Sequence, residues 1–405
     1  MAITRVRPGH YPAILSYGFR PFFLMGALQA GLAILFWLPL FYGRLETSSL
    51  FAPVDWHVHE MLFGYLPAIM TGFLLTAIPN WTGRLPVQGV PLLVLLLLWL
   101  AGRIAVFFSS EIGWLAAAFL DCAFLLAVVM VAAREIVAGR NWRNLKVLAP
   151  VTVLLAANLL FHWEASRYGT ADLGRRLGLA AAIVLIMVIG GRIIPSFTHN
   201  WLVRENPGRL PQPFNRFDGM VIVLSALALA AWTFLPSGRA TGVLMIAAAL
   251  VNAVRLARWA GERCWRDPLV LILHAAYAFL PLGFLLAGLA VLDPDLVPPA
   301  AGFHAFGAGA IGAMTLAVMV RATLGHTGRP LQAGLAGMAI FASVLLAACL
   351  RLAAVCFPAA GFLIDLSGLA WAFAFLFFAV RFGGMLLRPK LRAQGIAAPA
   401  RMKGA

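Results

Sequence analysis

Charged residues are scarce in this sequence. Its 405 residues include 31 Lys and Arg and 15 Asp and Glu, so 11% are charged, whereas 62% are hydrophobic and the mean hydropathy is +0.91. A soluble globular protein usually has about 25% charged residues. The deficit excludes a soluble enzyme and a disordered or fibrous chain. The net charge of +16 does not indicate nucleic-acid binding, because a basic interface for nucleic acid needs a solvated surface.

Several motifs are missing as well. The four cysteines form no CxxC pair, so neither a disulfide framework nor a cysteine metal site is indicated. No nucleotide-binding loop, serine-triad motif or zinc-hydrolase motif occurs. The first apolar run, near Pro21, is long enough to span a bilayer, which predicts a retained helix rather than a cleaved signal peptide. These absences leave an integral membrane protein as the interpretation.

What the chain has in abundance is long apolar runs. A bilayer core is crossed by about 20 apolar residues in a helix. Runs of this length predict twelve transmembrane helices, at 20–42, 56–79, 87–108, 112–133, 146–165, 172–195, 216–236, 239–260, 268–291, 298–324, 333–356 and 360–386. The sequence therefore predicts an all-α polytopic membrane protein with a single transmembrane domain over 1–405, in contact with the lipid bilayer.

The basic residues predict the orientation. If the termini and the even-numbered loops lie on one side, that side holds 23 of the 31 basic residues, while the odd-numbered loops hold five and three lie inside helices. Basic residues are enriched in cytoplasmic loops. We therefore expect both termini in the cytoplasm.

Two of the predicted helices resemble each other. Residues 59–84 align without a gap to 304–329, with seven identities in 26 positions, among them His59 with His304 and a shared TGR ending. A fainter third copy lies in the sixth helix. The candidate repeat-related helices 56–79, 172–195 and 298–324 are spaced by four, which predicts three four-helix repeats around a pseudo-threefold axis.

Histidines at the outer ends of these helices are the candidate ligands, because ligand-capable side chains at membrane depth indicate function. His57 and His59 point about 200° apart on a helix, so they can serve two sites on opposite faces. His57 shares a face with Met61, and imidazole with thioether suits copper. His59 and His304 lie at equal depth, and small residues after His304 leave room for a macrocycle. This pair predicts a bis-histidine haem site.

Other interpretations of these histidines stay open. His304 is also explained as a hydrogen-bonded interhelical histidine, and His57 with His59 as a pair wetted by the outer surface. His162 is a further candidate for the outer metal site. Near the cytoplasmic end, His274 is a candidate cofactor ligand, and His326 is either a ligand or part of a turn.

Blocks along the whole chain resemble the NnrS family of bacterial membrane proteins: GFRPFFL at 18–24, WHVHEMLFG at 56–64, GFLLTAIPNWTG at 72–83, GGRIIPSFT at 190–198, the segment 274–277, and 304–329 ending in LGHTGR. The resemblance implies twelve membrane helices, haem b and copper, and a link to nitric oxide and denitrification. It gives candidate ligand status to His57, His59, His274, His304 and His326.

The repeat also resembles the plan of haem–copper oxidases and nitric oxide reductases, which have twelve core helices in three arcs. By this fold-level analogy, Arg175 and Arg176 lie where haem propionates would find a partner.

Our leading hypothesis is a haem- and copper-binding protein of the bacterial inner membrane that reduces or traps nitric oxide, with its main cofactor site toward the periplasm. The sequence leaves open whether it is an enzyme, and it indicates no site for an electron donor. The alternative is a non-enzymatic transporter or metal- and haem-handling protein that uses the same histidines.

Overall fold

The computed structural model describes residues 11–391. Within them, twelve helices are long and apolar enough to cross a membrane, which confirms the predicted all-α polytopic fold. We number them α1 to α12: Phe19–Phe41, Pro53–Thr82, Val90–Phe107, Trp114–Ala138, Trp142–Tyr168, Asp172–Glu205, Arg216–Phe234, Arg239–Arg263, Pro268–Leu292, Ala300–His326, Gly334–Cys356 and Phe362–Leu387. The basic residues before 11 and after 391, which entered the orientation argument, lie outside the described residues.

Local sequence explains where many of these helices begin and end. Proline occupies the first turn of α2, α3 and α9, where its missing N–H is not needed. Asn215 and Asp218 form a capping box at the start of α7. The helices α2 and α5 end at Gly83 and Gly169, whose φ angles of +72° and +74° favour glycine.

The sixth helix is longer than predicted. The sequence indicated an end at 195, but α6 continues through Pro195 to Glu205. Polar residues after Pro195 end the apolar run without ending the helix. Proline is tolerated inside membrane helices when neighbouring groups satisfy the freed backbone.

The three helices that the repeat relates lie at the centre of the bundle. In its most apolar 18-residue window, α2 has 83% of its residues buried, α6 has 61% and α10 has 67%. Of the other spans, α9 also reaches 61%, and the rest have 33–50%. α6 contacts both α2 and α10, and Tyr65 of α2 is hydrogen-bonded to Thr315 of α10. The division into three four-helix units stays a prediction.

Both α2 and α10 contain a π-helical segment immediately after the histidines that the alignment pairs. The segment in α2 covers Glu60–Tyr65 and follows His59, and the segment in α10 covers Ala305–Gly312 and follows His304. π segments inside α-helices are rare and occur mostly at functional sites. They change the direction of the side chains before them relative to those after them.

The first and last of the twelve spans, α1 and α12, pack together and are connected by hydrogen bonds. α1 packs along α12, and the buried guanidinium of Arg20 donates from Nη1 to the carbonyl oxygens of Leu386 at 2.8 Å and Arg388 at 2.6 Å. These carbonyls belong to the end of α12, where no further helical turn is available to bind them. Arg20 therefore caps the last helix from the first.

Candidate cofactor site

A cavity of about 300 Å³ lies among α1, α2, α6, α10, α11 and α12. Its walls are formed mainly by the last turns of α1 and α11 and by the first turns of α2, α6, α10 and α12, so it lies near one end of the bundle. Most of its lining is apolar, and its size is that of a small-molecule pocket. The side chains in its lining that could bind a metal, an anion or a hydrogen-bonding ligand include His57, Met61, Tyr65, Arg175, His304 and Arg351.

His304 faces this cavity with one ring nitrogen available. Its Nδ1 lies 2.7 Å from the carbonyl oxygen of Ala300. Because a carbonyl only accepts, Nδ1 carries the proton in the neutral ring and Nε2 keeps its lone pair. A metal-bound histidine usually has its other nitrogen held in this way. Gly307 and Ala308 line the cavity beside it, and a Cβ added to Gly307 would meet no atom within 4 Å.

His57 lines the same cavity from α2. Its Nδ1 is buried and has no hydrogen-bond partner among the residues that the structure describes. Its ring packs on Trp37, with 4.4 Å between ring centroids. Met61, one turn later, also lines the cavity. The structure thus places His57 and Met61 on one face, as their spacing predicts, with an imidazole and a thioether both available.

Two guanidinium groups border the cavity. Arg175 forms an ion pair with Asp172 and lies 5.0 Å over the ring of Phe303, and its Nε is buried without a partner within 11–391. Arg351 is half-buried and makes no hydrogen bond or ion pair with the described residues. An arginine without an acidic partner at membrane depth indicates a site for an anionic group.

The sequence analysis missed Arg351 and included Arg176. Arg351 interrupts an apolar run near the outer end of a predicted helix, and this was the available signal. Arg176 has a buried Nε without a partner in the described part of the chain, but it is not among the residues lining the cavity. Only Arg175 of the two expected arginines therefore borders the pocket.

A cluster of buried and half-buried polar residues, separate from the cavity, lies on another face of α2. We call it the α2–α5 cluster, and its residues are His59, Glu60, Arg103, Asp121, Asn158 and His162. His59 and Asn158 are 0% exposed, and Asp121 is 3% exposed. The side chains come from four consecutive helices, so the cluster connects α2, α3, α4 and α5 inside the bundle.

Hydrogen bonds and ion pairs connect the α2–α5 cluster. His59 Nε2 lies 3.0 Å from Asn158 Oδ1 and 3.1 Å from Asp121 Oδ2, and His162 Nε2 lies 3.2 Å from the same carboxylate oxygen. Arg103 donates to Glu60 Oε1 at 2.6 Å and also pairs with Asp121. The imidazoles therefore surround one carboxylate.

The structure does not bring His59 and His304 together, although the sequence predicted them as a pair. His57 is the histidine of α2 that faces His304 across the cavity, whereas the ring of His59 packs against Phe161 and His162. His162 likewise lies with His59 rather than with His57 and Met61. The difference arises because His57 and His59 point to opposite faces, and spacing alone does not say which face meets α10.

The two remaining candidate histidines lie far from the cavity. His274 is buried near the start of α9 with Nε2 2.8 Å from Thr198 Oγ1. His326 is at the end of α10, stacked on Tyr17 with 6.0 Å between ring centroids. At 1.5 Å per residue, the length of α10 separates His326 from His304 by roughly 33 Å. They cannot join the cavity site.

Comparison with known proteins gives one family match. The family model described as NnrS protein matches residues 13–390, nearly the whole chain. No curated protein matches. The match includes every residue of the cavity and of the α2–α5 cluster.

Proposed function

The chain belongs to the NnrS family, and we propose that it is a haem- and copper-binding protein of the bacterial inner membrane that handles nitric oxide, by reduction or by trapping. Its role would be in denitrification or in defence against nitrosative stress. The observation that carries this proposal is that two histidines and two arginines line one apolar cavity.

The residues of the cavity fit a haem b. His304 would hold the haem iron through Nε2, since its Nδ1 is held by Ala300. Gly307 leaves open space in the wall of the same cavity. Haem carries two propionate groups, and Arg351, which has no acidic partner among the described residues, and Arg175 would bind them through charge-assisted hydrogen bonds.

Copper is proposed to bind His57 and Met61. The two side chains line the cavity together, and the buried Nδ1 of His57 has no partner within 11–391. When bound, the two metals would supply coordination sites for nitric oxide and a path for electrons. His304, His57 and the two arginines would orient the cofactors, and the mostly apolar lining would limit the water around them.

The orientation proposed for this site is toward the periplasm. The cavity lies at the end of the bundle where the even-numbered helices begin, which is the end with five basic loop residues rather than 23. Because basic loops stay in the cytoplasm, the cavity end faces outward.

An absorption spectrum with metal analysis of the purified protein tests the cofactors. We expect a Soret band and copper in the wild type, and loss of the Soret band in His304→Ala, because the histidine proposed to hold the haem is removed. His199→Ala is the control, since His199 is exposed at the other end of α6. A wild type without haem, or haem retained in His304→Ala, would contradict the assignment.

Turnover separates reduction from trapping. Proteoliposomes that consume nitric oxide continuously when electrons are supplied would indicate an enzyme. Uptake that stops at about one nitric oxide per haem would indicate trapping. Neither uptake nor consumption, with haem present, would favour the transporter or haem-handling alternative.

A further inference from the structure

The α2–α5 cluster lies apart from the cavity and plays no part in the proposed cofactor site. Three of its side chains, His59, Asp121 and His162, each place a ligand atom within 4.8 Å of the other two. They come from α2, α4 and α5. All three residues are buried, so this grouping is part of the packed interior rather than a chance meeting at the surface.

Two of the three distances among these ligand atoms suit a metal site, and the third is below 4.8 Å. Bonds of about 2.0–2.1 Å from a tetrahedral ion to nitrogen or oxygen ligands place neighbouring ligand atoms about 3.3 Å apart. Asp121 Oδ2 lies 3.1 Å from His59 Nε2 and 3.2 Å from His162 Nε2. These three atoms can therefore bind one ion with only small movements.

The surroundings of His59 support this use. Its Nδ1 lies 3.3 Å from Glu60 Oε1, which leaves Nε2 toward Asp121 and His162. A carboxylate that holds the far nitrogen of a ligating histidine is a recurrent feature of metal sites. Asn158 also places Oδ1 3.0 Å from His59 Nε2, adding an oxygen next to the same position.

The charges of the α2–α5 cluster require a further cation. Glu60 and Asp121 are carboxylates, and Arg103 is the guanidinium that pairs with both. With neutral imidazoles, one negative charge is left over in a buried position, and an unpaired buried charge is costly. Either a metal ion or a proton on an imidazole supplies the missing positive charge.

We propose that His59, Asp121 and His162 form a binding site for a divalent first-row transition ion. Two imidazoles and one carboxylate are the donor set of non-haem iron(II) sites and of many zinc sites. The site has no sulfur ligand, unlike the His57 and Met61 pair. It does not depend on the proposed function of the cavity, and it joins α2, α4 and α5 through one ion.

Cobalt(II) is the probe for this site, because its visible absorption reports its ligands, and it is read as the difference between spectra before and after addition so that haem absorption cancels. The full chain in detergent is treated with a chelator and titrated with Co²⁺. We expect one equivalent to give visible d–d bands, and Zn²⁺ to remove them by displacement. The same equivalent of Zn²⁺ should raise the thermal unfolding temperature, since it binds the folded state. No saturable binding in the wild type would overturn the proposal and leave a protonated histidine as the source of positive charge.

Variants assign the ligands. His162→Gln and Asp121→Asn should each lose the Co²⁺ bands, whereas His57→Gln should keep them because His57 faces the cavity. His274→Gln is a second control, a buried histidine at the other end of the bundle. Bands that persist in His162→Gln and Asp121→Asn, or that vanish in His57→Gln, would overturn the assignment. If the ligand variants do not fold, the wild-type titration still decides whether the site exists.

Discussion

Arg351 shows how a single residue can indicate a ligand. Its guanidinium borders an apolar cavity and finds no acid among the described residues, although a charge at membrane depth is costly unless it is paired or solvated. Two other arginines inside the bundle are paired with acids: Arg103 binds two carboxylates, and Arg255 binds Asp218 at 3.0 Å. An anionic group bound in the cavity would give Arg351 the partner that these arginines have.

Gly307 tests whether the cavity itself is occupied. Gly307→Leu should weaken haem binding about tenfold or more, because the new side chain would enter the cavity and overlap of this kind costs about 1–3 kcal/mol. The fold should tolerate the change, since a Cβ at this position meets no atom within 4 Å. The haem-to-protein ratio after purification measures the effect.

Gly384→Leu is the matched control for this substitution. Gly384 is exposed on α12, and a Cβ there also meets nothing within 4 Å. We expect full haem content in this variant. Equal haem content in Gly307→Leu and Gly384→Leu would mean that haem does not occupy the cavity.

For single residues, the sequence predicted which side chains share a helix face but not which side chains of other helices they meet. A spacing of two residues places His57 and His59 on opposite faces, and a spacing of four places His57 with Met61, because both follow from helical geometry. Which face of α2 meets α10 depends on the rotation of each helix in the bundle. That rotation is set by packing with other helices, so the pairing of His57 with His304 needed the structure.

The π-helical segments act at the scale of whole helices. Each begins one residue after a histidine of the candidate sites, in α2 at Glu60 and in α10 at Ala305. An extra residue in one turn rotates the side chains before it by about 100° about the helix axis, relative to an uninterrupted α-helix. The segments therefore help to set the directions of His57, His59 and His304.

Deletion of Ala308 tests this role in α10. Removing one residue from the π segment should restore a regular α-helix and rotate His304 by about 100° away from the cavity. We expect the variant to insert in the membrane but to lack haem, measured from the Soret band and from the level of protein in the membrane fraction.

The same variant with an alanine inserted after Gly309 is the control. It restores the length of the segment and should restore the haem. Normal haem in the deletion variant would show that the π geometry does not direct His304.

For the molecule as a whole, the sequence predicted most of the architecture. Apolar runs of bilayer length gave all twelve spans, because hydrocarbon as a solvent requires continuous helices. The predicted end of α6 was wrong because hydropathy shows where the apolar run ends, and the helix continues beyond it to Glu205. The α2–α5 cluster was not predicted, since its members lie far apart in the chain and only the packing of four helices brings them together.

Orientation is tested by labelling cysteines from outside. The four native cysteines, Cys122, Cys264, Cys349 and Cys356, are free and are first replaced by alanine. A membrane-impermeant maleimide added to spheroplasts should then label Glu46→Cys between α1 and α2. It should leave Gln212→Cys, between α6 and α7, unlabelled, because that loop lies on the side with the basic residues.

Permeabilised cells supply the control for this experiment, since Gln212→Cys should be labelled there. Labelling of Gln212→Cys but not of Glu46→Cys in intact spheroplasts would reverse the orientation and place the cavity on the cytoplasmic side.

The cap that Arg20 provides has a consequence for how the protein is made. The carbonyl of Arg388 lies 368 residues after Arg20 in the chain, so the ribosome must synthesise all twelve spans before this contact can form. Until then, the guanidinium at the start of α1 must stay solvated or be held by another factor. The contact can form only after α12 has been synthesised, so a nascent chain that stops before α12 lacks this cap between the first and the last of the twelve spans.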